Sequence, residues 1–261
     1  MKGTLTILGC GGSGGVPLIG NRWLDCDPSE PKNRRTRCSA AITTDKTTLV
    51  IDTGPDFSEQ FNRENLNTPD AILYTHEHAD HVAGIDELRV LMRLEQKTFD
   101  VYSNAETLKS LKERVGYMFE SRNNGFYPAV CNPKEIGFYK DYTIGDISFS
   151  THELDHTNLS AVGYRFGNVA YSLDFKRLDD QAIEALKGVD IWIADCLGYK
   201  SDGNPVHANL DEIYRVNEII GAKEVYLSDM SPRMDYQTLL SELPQGYKPA
   251  YDGLQVEITW P

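Results

Sequence analysis

The 261-residue chain contains no apolar run approaching the roughly 18 residues of a membrane span, no low-complexity linker and no block of like charge. Its first residues, Met1 to Leu8, offer too short an apolar stretch before a glycine cluster to be a secretory signal. Positive charge is scarce: 26 Lys and Arg stand against 39 Asp and Glu, a net charge of −13. That balance repels nucleic-acid polymers unless basic residues are strongly segregated. Cysteine is sparse and odd in number, at Cys10, Cys26, Cys38, Cys131 and Cys196, with no C-x-x-C pair. A disulfide framework or a four-thiolate zinc knot is therefore excluded, and buried free thiols are expected. What remains is the expectation of a cytoplasmic protein, one domain over residues 1–261, acting on something small rather than on a membrane or a large nucleic acid.

Short β-rich runs bounded by Gly, Asp or Pro predict strands at Thr4–Leu8, Ala40–Thr44, Thr48–Asp52 and Ala71–Thr75. Others are expected at Ile147–Thr151, Ala161–Phe166, Val169–Leu173, Asp190–Ala194, Glu224–Leu227 and Gln255–Thr259. Apolar spacing predicts a helix from about Val82 to Leu94, and a capping box at Ser103-Asn104-Ala105-Glu106 opens another. Helices are further expected at Asp179–Lys187, at Asp211–Ile220 after a cap on Asn209 with Glu212, and at Tyr236–Leu243. Ser121–Asn132, with Asn-Asn-Gly and Pro128, is expected to be loop. Strands crowd each half of the chain with helices between, which predicts layered sheets flanked by helices.

Gly9-Cys10-Gly11-Gly12-Ser13-Gly14 satisfies the dinucleotide pattern G-x-G-x-x-G after a strand. A nucleotide fold needs a helix to start there, yet Gly15-Val16-Pro17 and a polar loop follow. A turn free of side chains beside a site is the better expectation.

The strong signal is Thr75-His76-Glu77-His78-Ala79-Asp80-His81, directly after a strand. Imidazole nitrogens and a carboxylate packed this closely are the donors of a transition-metal site. One loop rarely completes two metal shells. Further ligands are expected among the polar residues that end later strands, His156, Asp174, Asp195 and Asp229, and at His207 in a Gly/Pro-rich loop before a helix. His152 fits no such pattern and is expected to be a strand or surface residue.

These residues resemble the metallo-β-lactamase superfamily, whose signature is H-x-H-x-D-H. Leu49-Val50-Ile51-Asp52-Thr53-Gly54 is similar to its strand-Asp-x-Gly element. The glycine-rich opening, Asp195-Cys196, His207-x-x-Leu210 and Tyr251-Asp252-Gly253 resemble its PhnP-type branch of cyclic-phosphate phosphodiesterases, in the expected order along nearly the whole chain. The resemblance implies an α+β, four-layer αββα sandwich with two divalent cations, zinc or manganese, at one edge. It implies that His76, His78 and His156 hold one cation, that Asp80 and His81 hold the other, and that Asp174 bridges them. Asp52 would orient ligands, Asp80 would belong to the catalytic set as well, and His207 would be the catalytic histidine.

Two departures stand out. The branch carries a cluster of cysteines for a structural zinc after the glycine-rich start, whereas Arg22–Arg37 has only Cys26. The late strand should end in Thr-His, whereas the chain has Ser228-Asp229. Asp229 is thus expected to replace an imidazole as ligand to the second cation, or to weaken that site. The function expected is hydrolysis of a small cyclic phosphate or nucleotide-like diester by metal-activated water, with His207 as general acid. The alternatives are a lactonase or thioesterase, or a binding protein weakened catalytically at Asp229. Arg34 and Arg35, near Arg37, are candidates for a phosphate clamp, because guanidinium forks suit phosphate oxygens. The partner is expected to be a phosphate-containing small molecule, with a homodimer as the candidate assembly.

Overall fold

The computed structural model describes residues 1–121, 125–200 and 203–260. A first sheet contains β1 (Lys2–Gly9), β2 (Ser39–Thr43), β3 (Thr48–Ile51), β4 (Ala71–Leu73), β5 (Phe99–Ser103) and β6 (Cys131–Glu135). A second contains β7 (Asp141–Ile144), β8 (Ile147–His156), β9 (Leu159–Phe166), β10 (Val169–Ser172), β11 (Ile191–Asp195), β12 (Glu224–Ser228) and β13 (Tyr247–Pro249). The chain then returns to the first sheet as β14 (Gln255–Thr259). The strand orders are β14-β1-β2-β3-β4-β5-β6 and β13-β12-β11-β10-β9-β8-β7. From β3 to β6, and again from β10 to β13, neighbours are parallel. The C-terminal ends of those strands carry most of the site residues.

Inner strands such as β3, β4, β10 and β11 are buried at nearly every position because both of their faces are covered, whereas β6, β7, β8 and β14 carry exposed positions. In β3, Leu49 and Ile51 pack between the sheets while Val50 packs beneath helices, and β4 repeats this with Ala71 and Leu73 against Ile72. The helices over the first sheet are α1 (Phe57–Arg63), α2 (Ala79–Val82), α3 (Leu88–Glu95) and α4 (Ala105–Val115). They contribute Phe57, Val82, Leu88, Leu108 and Leu111 to that layer. Over the second sheet lie α5 (Asp180–Leu186), α6 (Leu210–Ile220) and α7 (Tyr236–Glu242), which bury Ile183, Ile213, Val216 and Leu239. The result is the expected four-layer α+β sandwich. Among the described residues, no helix is long and apolar enough to cross a membrane.

Several local expectations are corrected. The helix expected over Val82–Leu94 starts earlier, at Ala79, and is broken around Gly84 before α3 resumes. A Cβ on Gly84 would stand 2.2 Å from the Gly54 carbonyl oxygen, and the Gly84 N–H donates to the Thr53 carbonyl at 2.8 Å. Close approach of two backbones thus interrupts an otherwise helical pattern. The cap of α4 is Asn104, whose side chain accepts from Thr107 N–H, while the Ser103 hydroxyl donates to the Tyr74 carbonyl. Asn209 caps α6 by accepting from Glu212 N–H, as expected. Four strands were not expected: β5, β6, which contains Pro133, β7, which is short and part-exposed, and β13, which ends in Pro249. All are at or next to sheet edges, where a missing N–H or a weak alternation is tolerated. Residues 122–124 of the expected loop Ser121–Asn132 lie outside the described residues, and β6 takes up its end. All five cysteines are buried and free.

His152 is a strand residue of β8, and it is wholly buried. Its Nε2 lies 2.9 Å from Ser172 Oγ, which already accepts the Trp192 indole N–H at 3.1 Å. One proton is shared between the serine oxygen and His152 Nε2, and a neutral ring suffices for this bond in either tautomer. Burial, reinforced by Arg165, holds the His152 pKa down at about 3. Between that value and 6.5 the unfolded chain takes up a proton that the folded protein refuses, so stability falls as the pH falls through this window. Urea unfolding followed from pH 7 downward is expected to show this loss, at most about 1.4 kcal/mol per pH unit from this group. The slope should be shallower in His152→Gln. An unchanged slope in that variant would show that His152 contributes nothing to acid sensitivity.

Candidate metal centre

The histidine-rich loop leaves β4 and is anchored from β3. Asp52 follows β3 and accepts two hydrogen bonds from Thr75, one from N–H and one from the hydroxyl, each at 2.8 Å. Its Oδ2 also lies 2.7 Å from His81 Nδ1. With Nδ1–H donating to that carboxylate, His81 presents Nε2 to the centre, 3.2 Å from Asp174 Oδ2 and 3.6 Å from Asp80 Oδ2. Fixing the tautomer of a ligating imidazole is what such a carboxylate does in metal sites.

Three further imidazoles meet edge to edge. The ring centroids of His76, His78 and His156 lie 4.6–5.2 Å apart, and one nitrogen of each comes within 4.8 Å of the others. His76 Nδ1 contacts the Thr75 hydroxyl at 3.0 Å, whereas its Nε2 is buried without a partner. Burial, with the neighbouring His81, holds the His76 pKa well below its ordinary value, so the ring is neutral and keeps a free lone pair. His156 ends β8 and donates Nδ1–H to the Val206 carbonyl at 3.2 Å, which turns Nε2 toward Asp174 Oδ1 at 3.7 Å.

Asp52, Asp174 and Asp229 share a backbone device. Each stands just past a strand (β3, β10 and β12) with a positive φ of 62°, 62° and 55°. Left-handed backbone is unusual outside glycine, and Asp is among the residues that adopt it most readily. It ends the strand and turns the carboxylate out of the pleat. Asp174 Oδ2 and Asp229 Oδ2 are buried and make no hydrogen bond. Burial pushes the Asp229 carboxyl well above its usual range, and the like charges of Asp174 and Asp195 add to this. For Asp174 burial acts the same way, but His81 beside it outweighs burial and holds the carboxyl well below that range.

His207 lies in the loop before α6. Its Nδ1 is 2.9 Å from Asp195 Oδ2, 3.2 Å from Asp229 Oδ2 and 4.0 Å from Asp174 Oδ1. Asp195 is itself fixed by accepting from Phe175 N–H at 3.1 Å and from Leu197 N–H at 2.9 Å. Burial lowers the His207 pKa, but Asp195, then Asp229 and Asp174, carry it up to about 10. A cavity of about 210 Å³ opens here, lined by His78, Asp80, His156, Asp174, His207 and Asp229, with Ser13, Asn158 and Leu197 at its sides.

The sequence-predicted residues His76, His78, Asp80, His81, His156, Asp174, His207 and Asp229 are thus brought together, with Asp52 behind His81. Arg34 and Arg35 are not. The Arg35 side chain is buried and donates to the carbonyls of Met234 at 2.7 Å and Ser231 at 3.4 Å and to Asn33 Oδ1 at 3.2 Å. It ties two loops together and has no face free for phosphate. Arg34 is exposed and lies over the Trp23 ring at 5.2 Å, away from the cavity. The sequence marked Asp195 as a candidate ligand and as part of the PhnP-type resemblance but did not pair it with His207, and it gave no role to Cys38, whose Sγ lies 3.8 Å from Asp229 Oδ1. Only spatial proximity reveals either. The glycine-rich segment is the close turn expected beside the site: a Cβ on Gly12 would meet Leu197 at 2.7 Å and Asp229 Oδ1 at 3.3 Å.

Divalent cations fit this donor set on an observation independent of motif. Three buried ligand-type atoms, His76 Nε2, Asp174 Oδ2 and Asp229 Oδ2, lack any hydrogen-bond partner, and all belong to one cluster. Buried polar atoms are ordinarily satisfied, and a cation would satisfy these.

Comparison with known proteins agrees with the geometry. The family described as "Beta-lactamase superfamily domain" matches residues 47–230. A crystal structure described as a new diphosphatase from the PhnP family superposes with a TM-score of 0.88 at 34% identity, covering 99% of this chain and 98% of that one. A Porphyromonas gingivalis protein named octanoyltransferase is 31% identical over 97% of this chain and 51% of its own length. A Bacillus anthracis protein named exodeoxyribonuclease YycJ is 27% identical over 58% of this chain and 55% of its own. The chain therefore spans about half the length of the curated relatives it matches.

Asp52 holds His81 without touching the cavity, so Asp52→Asn is expected to weaken metal binding by about 10–100-fold while the fold persists. Competition against a chromogenic chelator, with circular dichroism as the control for folding, measures this. Unaltered affinity would remove Asp52 from ligand orientation.

Proposed function

The chain belongs to the metallo-β-lactamase superfamily, as a hydrolase of PhnP type, and on that premise we propose that it is a phosphodiesterase acting on a small cyclic phosphate or nucleotide-like molecule. His76, His78 and His156 would hold one divalent cation, and Asp80, His81 and Asp229 the other, with Asp174 between them. When bound, such cations lower the pKa of water and neutralise charge on phosphoryl oxygens.

The observation that carries the proposal is His207, held from behind by Asp195, lining the same cavity as His78, Asp80, His156, Asp174 and Asp229. A diester's leaving alkoxide needs a proton. With Nδ1 engaged by Asp195, His207 keeps Nε2 for that transfer. The surrounding carboxylates of Asp195, Asp229 and Asp174 keep a proton on the ring, ready for the leaving oxygen. The cavity volume of about 210 Å³ and the net charge of −13 support a small substrate over a polymer. A lactone or thioester would meet the same donors, and one relative of twice the length bears an acyl-transfer name. Such esters are therefore the controls.

The metal-loaded protein is expected to cleave a generic aryl phosphodiester and to leave lactones and acyl thioesters intact. His207→Ala should lower turnover by about 10²–10⁴-fold with metal content unchanged. Faster cleavage of the esters would replace the phosphodiesterase assignment, and an unchanged rate in His207→Ala would remove His207 from the proton transfer.

A further inference from the structure

The centre is chemically lopsided. Around one position stand three imidazoles, His76, His78 and His156, whose nitrogens already lie within 4.8 Å of one another. Around the other stand three carboxylates, Asp80, Asp174 and Asp229, with His81, while His76 lies within 4.8 Å of the His81–Asp174 pair and His207 Nδ1 is turned to Asp195 and Asp229. The two halves also differ in how far they are assembled. The atoms of His81 and Asp174 approach to 3.2 Å, but neither Asp80 nor Asp229 closes with them into a compact set of donors. Asp229 is shorter than the imidazole expected at its position, and its Oδ2 lies buried and without a hydrogen bond, facing His207 at 3.2 Å.

Donor type and spacing both bear on which ion fits. Imidazole suits zinc and its late-transition neighbours, whereas carboxylate and water suit harder cations. A tight nitrogen cage favours a small tetrahedral ion. A carboxylate-lined position whose donors do not all close into one compact set favours an ion that keeps some of its water. Even with Asp174 shared between the two positions, Asp80 and Asp229 give this one two carboxylates of its own, which raises affinity for a hard cation through simple attraction.

We propose that the two positions select different cations: the three-histidine position takes Zn²⁺, and the Asp80–His81–Asp174–Asp229 position takes a hard, partly hydrated cation of the Mn²⁺ kind. Asp229 is the residue that sets the difference. The inference rests on the centre being a two-cation site, but it concerns binding alone, so it stands or falls separately from the phosphodiesterase assays.

The test uses the whole chain, stripped by chelation, given one equivalent of Zn²⁺ and then titrated with Mn²⁺. Free Mn²⁺ is followed by electron paramagnetic resonance and retained zinc by elemental mass spectrometry. One Mn²⁺ is expected to bind per chain while the zinc stays. Asp229→His should exchange this preference, taking up a second Zn²⁺ and losing Mn²⁺ affinity on the order of tenfold or more. Asp229→Asn, close in shape but uncharged, should lose Mn²⁺ affinity likewise and still hold the first Zn²⁺. The proposal is overturned if the native chain takes two Zn²⁺ in the presence of equal Mn²⁺, if zinc-loaded protein binds no Mn²⁺, or if both variants retain native Mn²⁺ affinity.

Discussion

Carboxylates and imidazoles removed from water require compensating charge, and the edge between the two sheets is organised around that requirement. Asp52, Asp174, Asp195 and Asp229 are each no more than 3% exposed. Asp52 and Asp195 are compensated within the protein, by Thr75 and His81 in one case and by backbone N–H groups and His207 in the other. Asp174 and Asp229 each keep an oxygen with no hydrogen bond. Two of the four carboxylates thus act as internal supports, and two remain for an ion. The same division separates the histidines: His81 and His156 have one nitrogen tied back to the protein so that the other is available.

The fold was largely legible because burial on both faces writes an unmistakable sequence pattern. Leu49-Val50-Ile51 and Ile191-Trp192-Ile193 are apolar throughout, and each ends in an aspartate. What escaped notice was written weakly or not at all. The edge strands β6 and β13 carry prolines, which normally argue against a strand, and the break between α2 and α3 depends on a glycine packed against a distant backbone. Neither fact can be inferred from a window of neighbouring residues.

The site shows the same boundary between local and spatial information. His76, His78, Asp80 and His81 are close in sequence and were visible as a unit, whereas Asp195 acquires meaning only because the loop carrying His207 folds back upon it. Arg35 is the opposite case. A basic run in an acidic chain invites a phosphate, yet the Arg35 guanidinium is buried and donates to two carbonyls and an asparagine, holding the start of the chain against its later part. Charge in sequence does not say whether a side chain faces a ligand or another loop.

The ligand atoms come from both sheets: the histidine loop follows β4 of the first, while His156, Asp174 and Asp229 follow β8, β10 and β12 of the second. Whatever ion they share is therefore a rivet through the sandwich as well as a reagent. An ion that binds only the folded chain stabilises it by mass action, by about 4 kcal/mol when supplied at 1,000 times its dissociation constant. Starvation for metal would then act on the lifetime of the molecule as much as on its rate. A cell short of the ion would lose the protein to proteolysis along with its activity.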